Sequence, residues 1–341
     1  MKAVVFTESR EIELVDVDDP SPLSGEVVLA PHACGICGTD LHAPRLTDLF
    51  SVPNNIMGHE FCGTIVDKGK EVRDWQIGER VAVNPNGNVC GGCGPCVAGN
   101  FNLCRSAVLG NGIGIHRPGG MAEFVSVSAT PHVLHRLPDS VSASEGAWVE
   151  PVATVIRSLK VSGIRHGDTA TVLGAGPIGL LTVQALRNCG VRKVVVVEPT
   201  PMRRELASLM GADLVLDPQR EDIGSLFGVD LERSTHVFEC SGAKEALGLA
   251  VEIVEFAGTV TLEGIPTERG TVDSFSIINR EIEVRGSIIY VDEFEEAIDS
   301  LSDKKFEVGS LTTEILPISE FKSAFAALAK PTSTVKVLLH P

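Results

Sequence analysis

The chain has 341 residues, of which 43% are hydrophobic, and its 45 acidic and 29 basic residues give a formal net charge of −16. This length favours two domains over a single core. The negative charge opposes binding to phosphate backbones and anionic membranes. We therefore expect a globular protein with neither a nucleic-acid partner nor a membrane partner.

The first part of the chain, to about residue 135, predicts a compact all-β unit. Short strand patterns alternate there with glycine-containing turns, as in KAVVF, EIELVDV, EVVLAPHA, FCGTIVDKG, ERVAV and AEFVSV. The opening stretch MKAVVFTESREIELVDV has the pattern of an amphipathic strand and not of a signal peptide. No run of about 18 apolar residues is present to span a bilayer. We expect a cytoplasmic protein.

After Pro151 the pattern changes to alternating helices and strands. VATVIRSLKVSG has helical periodicity, and continuous apolar strands such as VVVV are flanked by helical segments, which predicts a parallel sheet covered on both faces. From about Glu283 the pattern is mixed again and ends in the strand TSTVKVLLHP. The predicted fold class is α/β plus β. A doubly wound nucleotide domain (152–285) is inserted into a β domain (1–151 and 286–341) that carries a lobe at about 88–106.

The nine cysteines, an odd number, favour metal binding or catalysis over a disulfide framework. Four lie in CGGCGPCVAGNFNLC with the spacing C-x2-C-x2-C-x7-C: Cys90, Cys93, Cys96 and Cys104. Four thiolates without an open position predict a structural zinc site, and an iron–sulfur cluster is the alternative. We interpret the remaining Cys34, Cys62, Cys189 and Cys240 as small apolar residues.

Candidates for a second metal site are scattered along the chain. Catalytic zinc typically has three protein ligands of mixed type and an exchangeable fourth position. Cys37, the pair His59–Glu60 in MGHEF, and Glu150 in WVEP offer such a set. Single residues of these types also occur for structural reasons, so spacing alone leaves this site open.

A dinucleotide-binding turn is predicted where the strand TATVL meets GAGPIG and the helix LLTVQALRN. Gly174 makes the turn, Gly176 admits the pyrophosphate and Gly179 allows close packing, with Pro177 and Ile178 between them. The helix N-terminus favours the anionic pyrophosphate.

Glu198, at the end of the next strand, predicts NAD as the cofactor. A carboxylate there accepts hydrogen bonds from the ribose hydroxyls and repels the 2′-phosphate of NADP. Arg203 and Arg204 follow closely, and a nearby arginine could receive that phosphate. NADP therefore stays an alternative.

The motifs converge on one family. GICGTDLH, GHEFCGTI, the four-cysteine lobe, GG-x-AEF-V, VEPVAT, LGAGPIG and TVKVLLHP follow one another in order. In this order the sequence resembles the zinc-dependent medium-chain alcohol dehydrogenases over essentially its full length. The branch that it resembles contains secondary-alcohol, polyol, butanediol and threonine dehydrogenases. The resemblance implies a GroES-like β catalytic domain and a Rossmann domain, with the active site in the cleft between them.

The resemblance also implies roles for single residues. Cys37, His59 and Glu150 match the catalytic-zinc ligands, and Glu60 matches a carboxylate that binds the metal or stands just behind it. The four-cysteine lobe matches the structural site, so two Zn²⁺ per subunit are implied. Thr39 matches the hydroxyl that binds the substrate oxygen, and His42 continues the proton relay. The implied reaction is hydride transfer between NAD(H) and a secondary alcohol or ketone, with zinc polarising the oxygen.

Further cofactor contacts follow from the same resemblance. Ile178 and Ile265 match the aliphatic residues on either side of the nicotinamide, although core packing would also explain them. Thr154 and Ser241 would face the cofactor cleft. A homo-oligomer, dimer or tetramer, is implied, with the edge strand of the nucleotide sheet as its contact.

The substrate is predicted less sharply. The segment APRLTDLFSVPNNIMG is short and largely apolar, so Leu46, Leu49, Phe50 and Trp148 could line a pocket for a hydrophobic secondary alcohol, although surface packing explains them equally well. Polyol and L-threonine dehydrogenases are the alternatives within the family. A zinc-independent reductase and a non-catalytic nucleotide-binding scaffold are more distant ones.

Overall fold

The computed structural model describes residues 1–45, 52–329 and 333–341. The chain divides into two compact units. The first unit consists of Met1–Ala153, Tyr290–Lys304 and Val308–Pro341, and the second consists of Thr154–Ile289 and Lys305–Glu307. Within the described ranges, no helix is both long and apolar enough to cross a membrane.

The amino-terminal part of the first unit is built mostly of strands. They are β1 (Lys2–Phe6), β2 (Ile12–Asp16), β3 (Glu26–Gly35), β4 (Asn55–Ile56), β5 (Glu60–Lys68), β6 (Arg80–Val83), β7 (Val125–Ser128) and β8 (Leu134–Arg136). The helices are α1 (Gly38–His42), α2 (Gly94–Val97), α3 (Ala143–Gly146) and α4 (Val149–Ser162), with a 3-10 turn at Phe101–Leu103 and a π-helical turn at Ala107–Asn111.

The second unit alternates strands and helices. Its strands are β9 (Thr169–Leu173), β10 (Lys193–Val197), β11 (Leu214–Leu216), β12 (Ser234–Glu239), β13 (Val254–Leu262) and β14 (Glu283–Gly286). Its helices are α5 (Pro177–Asn188), α6 (Pro201–Leu209), α7 (Ile223–Leu226), α8 (Ala246–Ile253) and α9 (Ser274–Asn279). The chain then returns to the first unit with α10 (Glu293–Ser302), β15 (Thr312–Pro317), a 3-10 turn at Ile318–Glu320, α11 (Phe321–Ala329) and β16 (Lys336–His340).

Two sheets form the first unit. The smaller one has the order β2-β1-β4, and the larger one has the order β15-β16-β3-β5-β6-β8, with β7 paired to β3. The closing strand β16 runs antiparallel to β3, and Leu338 lies opposite Gly35. Alternating residues such as Phe61, Ile65 and Val337 are buried in the core. This pairing places Lys336 next to the start of β5.

The sheet of the second unit is parallel throughout, with the order β11-β10-β9-β12-β13-β14. From β9 the chain proceeds to β10 and β11 on one side and then to β12, β13 and β14 on the other. Such a reversal leaves a crevice at the carboxyl ends of the strands, where open α/β sheets bind ligands. Every residue of β9 is buried, as predicted for a central parallel strand.

Candidate metal and dinucleotide sites

Cys37 lies immediately before the short helix α1, at its N-cap position. Its backbone N–H donates to Asp40 Oδ2 at 2.8 Å. Asp40 is buried, with 4% of its surface exposed. This local hydrogen bond fixes the loop geometry around the Cys37 thiol.

His59 and Glu60 reach the same place from the start of β5. One ligand atom each of Cys37, His59 and Glu60 lies within 4.8 Å of the others. His59 Nε2 lies 3.5 Å from Thr39 Oγ1, and His59 Nδ1 lies 3.8 Å from Asp40 Oδ1. Burial acts to lower the pKa of His59, but the charges of Asp40 and Cys37 raise it well above its usual value.

This donor set fits a zinc ion. A thiol, an imidazole and a carboxylate are the ligand types that zinc prefers. His59 and Glu60 are buried, Cys37 is half-buried, and His59 Nδ1 is buried without a hydrogen-bond partner. Glu150, the fourth predicted ligand, lies in the first turn of α4 and outside this group of three. Desolvation raises the pKa of Glu150 to about 7, while His59 acts in the opposite direction. The structure therefore brings three of the predicted ligands together, with Glu150 in electrostatic reach.

Lys336, which the sequence did not single out, forms a buried ion pair with Glu60 Oε2. Their side chains are 2% and 3% exposed. Burial acts to lower the pKa of Lys336, but Glu60 and Cys37 raise it above its usual value, so Lys336 carries a positive charge. A side chain at Gly35 would clash with Glu60 Oε2 and Lys336 Cε. Glycine at position 35 of β3 therefore leaves the space that the ion pair occupies.

Trp148 lies in the core beside this ion pair. It is fully buried, its Nε1 donates to Thr312 Oγ1 at 2.9 Å, and Lys336 Nζ lies 5.5 Å from its ring centre. These contacts are those of a packed core residue. The other three residues proposed to line a substrate pocket, Leu46, Leu49 and Phe50, lie outside the described residues.

The two residues of the predicted proton relay share α1. Thr39 is half-buried and lines a cavity of about 10 Å³ together with Asp40 and Asn55, which is about the space of one water molecule. His42 is the last residue of α1, three positions after Thr39, and such residues lie on one face of a helix. In the described part of the chain, no hydrogen bond joins the two side chains.

The four lobe cysteines form a second cluster, with ligand atoms within 4.8 Å of one another. The Sγ atoms of Cys93 and Cys96 are 3.5 Å apart, and those of Cys90 and Cys96 are 4.0 Å apart. Tetrahedral zinc with Zn–S bonds of about 2.3 Å requires sulfur atoms about 3.8 Å apart. Burial acts to raise the pKa of Cys104, but backbone N–H groups of Cys90 and Ala107 lower it to about 6. The lobe thus fits a structural zinc ion.

The glycine turn after β9 forms a cradle for a pyrophosphate. Gly174 has a φ of +94°, and a side chain at Gly179 would clash with the Gly174 carbonyl. Gly176 is the N-cap of α5, with Pro177 as its first residue and the half-buried Ile178 as its second. Free N–H groups at a helix start favour an anion. The local geometry is that of a dinucleotide-binding turn.

Glu198 connects this turn to the next helix. Its Oε2 accepts the N–H of Ala175 at 2.7 Å, and its Oε1 accepts the N–H of Thr200 at 2.8 Å. A guanidinium nitrogen of Arg203 lies 4.0 Å from the position that a Cβ atom on Gly176 would occupy. Arg204, by contrast, pairs with Asp217 at 3.0 Å. Of the two arginines, only Arg203 therefore approaches the glycine turn.

The remaining predicted cofactor residues lie at three places in the second unit. The Cβ of Ser241, after β12, is 2.9 Å from the position of a Gly174 side chain, so Ser241 adjoins the turn. Ile265 follows β13 and is 37% exposed. Thr154 is half-buried on α4.

Comparison with known proteins identifies the family of the chain. Residues 23–139 match the alcohol dehydrogenase GroES-like domain, and residues 177–303 match the zinc-binding dehydrogenase family. The chain is 30% identical to (R,R)-butanediol dehydrogenase of Bacillus subtilis (strain 168), with 100% of both chains covered.

Two solved structures share the fold over their full length. A candidate zinc-binding dehydrogenase of Sinorhizobium meliloti 1021 bound to NADP is 33% identical, with a TM-score of 0.91, and covers 100% of this chain and 99% of its own. The alcohol dehydrogenase RspB of Escherichia coli CFT073, complexed with NADH, is 28% identical with a TM-score of 0.92 and the same coverage. The predicted fold class is confirmed. The chain belongs to the zinc-dependent medium-chain alcohol dehydrogenase family, as the order of its motifs predicted.

Proposed function

We propose that this protein is an NAD-dependent zinc enzyme that interconverts secondary alcohols and ketones. The observation that carries the proposal is the cluster of the half-buried Cys37 and the buried His59 and Glu60, whose ligand atoms lie within 4.8 Å of one another. Zinc binds sulfur, nitrogen and oxygen donors, and this cluster offers one of each. The glycine turn after β9 adds a place for the dinucleotide.

The proposed chemistry divides between bound groups and the chain. Zinc supplies Lewis acidity toward the alcohol oxygen, and the nicotinamide takes up or gives the hydride. Cys37 and His59 would hold the metal together with a carboxylate of Glu60 or Glu150. The Thr39 hydroxyl would bind the substrate oxygen and pass its proton toward His42, and its distance of 3.5 Å from His59 Nε2 supports this role. Lys336 holds Glu60 by a buried ion pair.

NAD is the proposed cofactor because of Glu198. Both of its oxygens accept backbone N–H groups, but each keeps a second lone pair for a ribose hydroxyl. Its negative charge opposes a 2′-phosphate, whereas Arg203 would attract one. Similar proteins have been solved with NADP and with NADH, so the charge of Glu198 is the deciding feature here.

The cofactor choice is tested by comparing kcat/KM for NAD and NADP in the wild type and in Glu198→Gln. We expect the wild type to prefer NAD and the variant to shift toward NADP by about tenfold or more. The variant lacks the repulsion between the Glu198 carboxylate and the 2′-phosphate, which contributes on the order of 1.4 kcal/mol. A wild type that prefers NADP would refute the argument from Glu198.

The reaction is tested with a panel of secondary alcohols, vicinal diols, polyols and L-threonine. Turnover of secondary alcohols should disappear in Cys37→Ala and His59→Ala, and it should persist in the matched control Cys189→Ala. Removing the metal should abolish turnover, and adding zinc should restore it. Full activity without metal would refute a zinc mechanism, and cofactor binding without turnover of any alcohol would favour a non-catalytic scaffold.

A vicinal diol is the second candidate substrate. Full-length similarity to (R,R)-butanediol dehydrogenase favours it, because that relative acts on a diol whose two carbinol carbons are both secondary. Higher kcat/KM for a vicinal diol than for the matching monoalcohol would establish this alternative.

The protein is also proposed to act as a cytoplasmic homo-oligomer. None of the nine cysteines forms a disulfide, which suits a reducing compartment. Strand β14 ends the sheet of the second unit, and exposed apolar side chains lie near it, including Ile278 at 76% and Val284 at 40% exposure. An apolar sheet edge favours pairing with a second copy.

A further inference from the structure

A buried carboxyl group lies at the carboxyl end of β13, and neither the metal sites nor the glycine turn includes it. Glu263 directly follows β13, and its Oε2 is buried. The Ser158 hydroxyl on α4, a residue that is 0% exposed, faces this carboxyl group and acts on it by hydrogen bonding. A carboxyl group is rarely buried without a cationic partner, so this position calls for an explanation.

Glu263 connects to the glycine turn through two side chains. The Cys240 thiol donates to Glu263 Oε1 at 3.8 Å and lies 3.9 Å from Thr182 Oγ1. The Thr182 hydroxyl donates to the carbonyl of Ile178, inside the turn, at 2.9 Å. The carboxyl group therefore belongs to the same edge of the sheet as the proposed pyrophosphate cradle.

The strand order indicates which half of a dinucleotide would lie at this edge of the sheet. In a doubly wound sheet, a dinucleotide lies across the carboxyl ends of the strands, with one mononucleotide half on each side of the central strand. Glu198 at the end of β10 belongs to the adenosine side. The ends of β12 and β13, which carry Cys240, Ser241 and Glu263, belong to the nicotinamide side.

No cation balances Glu263 among the described residues that face it. The pKa of Glu263 is raised to about 8: desolvation and the charge of Glu239 raise it, and hydrogen bonds with Ser158 and Cys240 lower it. Burial also raises the pKa of the Cys240 thiol well above its usual value, so it stays neutral. Glu239, the one other acid that faces it, accepts hydrogen bonds at Oε1 from the backbone N–H groups of Ser241 and Gly242. Glu263 is thus predominantly protonated at neutral pH.

The oxidised nicotinamide ring carries a positive charge that the reduced ring lacks. In a poorly solvated site, a nearby cation favours the charged form of a carboxyl group by a large factor. A neutral acid on the nicotinamide side therefore responds to the oxidation state of the cofactor.

We propose that Glu263 senses the oxidation state of the bound cofactor: it stays protonated beside the empty or reduced nicotinamide site and releases its proton to solvent when the oxidised ring binds. The resulting carboxylate pairs with the ring and favours the oxidised cofactor. This inference rests on the proposed nicotinamide-dependent function. It predicts that affinity for NAD⁺ rises with pH toward the pKa of Glu263, by up to about tenfold per pH unit, whereas affinity for NADH gains nothing from this group.

The test is proton release on cofactor binding to the zinc-loaded protein at pH 7, measured with a pH indicator in weak buffer. Wild type, Glu263→Gln and a matched surface control, Glu268→Gln, are compared with NAD⁺ and with NADH. A zinc site can also release a proton, so the difference between wild type and Glu263→Gln is the relevant quantity. We expect the wild type and the control to release more protons than Glu263→Gln with NAD⁺, and equal amounts with NADH. Equal release by all three proteins with NAD⁺ would overturn the proposal.

Infrared difference spectra of the wild type provide a readout that needs no variant. NAD⁺ binding should remove the C=O band of a protonated carboxyl group, and NADH binding should leave it. NAD⁺ binding without loss of that band would refute the role of Glu263 alone. Failure to bind either nucleotide would instead refute the proposed function, together with this inference.

Discussion

The most unusual single residue of the proposed metal site is Lys336. Acidic groups surround the cluster: Cys37, Asp40, Glu60 and Glu150 each add negative charge when ionised, and Lys336 Nζ is the cation that pairs with Glu60. A buried charge without a counter-charge is strongly destabilising, whereas a complete buried pair is close to neutral for stability. Lys336 therefore matters mainly because Glu60 is present.

Replacing Lys336 by Met should lower the free energy of unfolding by about 3–5 kcal/mol, because Glu60 would stay buried without its partner. Lys336→Arg keeps a cation beside Glu60 and Trp148 and should cost clearly less. Lys322→Met, at an exposed position, is the matched control and should change little. Guanidinium unfolding of the zinc-loaded proteins measures the differences. Wild-type stability in Lys336→Met would mean that Glu60 is neutral or differently paired.

The lobe cysteines and the glycine turn were predicted from their spacing, and Cys37 and the His59–Glu60 pair were predicted through the resemblance. Lys336 and Glu263 were not predicted. The lobe cysteines lie within one short loop, and the glycine turn is contiguous, so their spacing alone indicates their geometry. Lys336 meets Glu60 only because β16 returns to pair with β3. A lone lysine in the apolar run VKVLL is the one signal that could have revealed it. In the sequence, Glu263 resembles an ordinary strand-end residue, because the residues that bury it, such as Ser158 on α4, are distant in the chain.

Among the elements, the four-cysteine lobe depends most on its metal. It holds the four-residue helix α2, one 3-10 turn and one π-helical turn. Its buried apolar cluster consists of Cys96, Cys104 and Ala107, with the partly buried Val89, Cys93 and Phe101 packed against it. Such a core is far too small to offset the entropy of ordering the loop, so metal binding must supply folding free energy.

Cys104→Ser should therefore lose one of two zinc ions per chain and loosen the lobe. Amide hydrogen exchange over residues 90–111 should accelerate by roughly 100-fold or more, while exchange in β9 and β10 stays unchanged, because local opening does not require global unfolding. Metal analysis and exchange mass spectrometry measure these effects, with Cys189→Ser as the control. Retention of both zinc ions by Cys104→Ser would contradict the four-thiolate site.

At the scale of the whole molecule, charge and the open sheet edge act against each other. Each chain carries a formal charge of −16, so two copies repel at low ionic strength. Exposed apolar side chains on α9 and β14 favour contact between copies, including Phe275, Ile278 and Val284. Salt screens the repulsion and leaves the apolar contact, so association should strengthen as salt is added.

Ile278→Glu should weaken self-association by about tenfold or more, because it buries a charge in the proposed contact and adds to the repulsion. Val229→Glu, at a position that is 81% exposed and lies outside the proposed contact, is the matched control. Sedimentation equilibrium at low and high salt measures both variants against the wild type. The wild type should be at least a dimer, and more tightly associated at high salt. A monomeric wild type would exclude β14 and α9 as the contact. Dissociation of Val229→Glu, with Ile278→Glu associated as tightly as the wild type, would also exclude them.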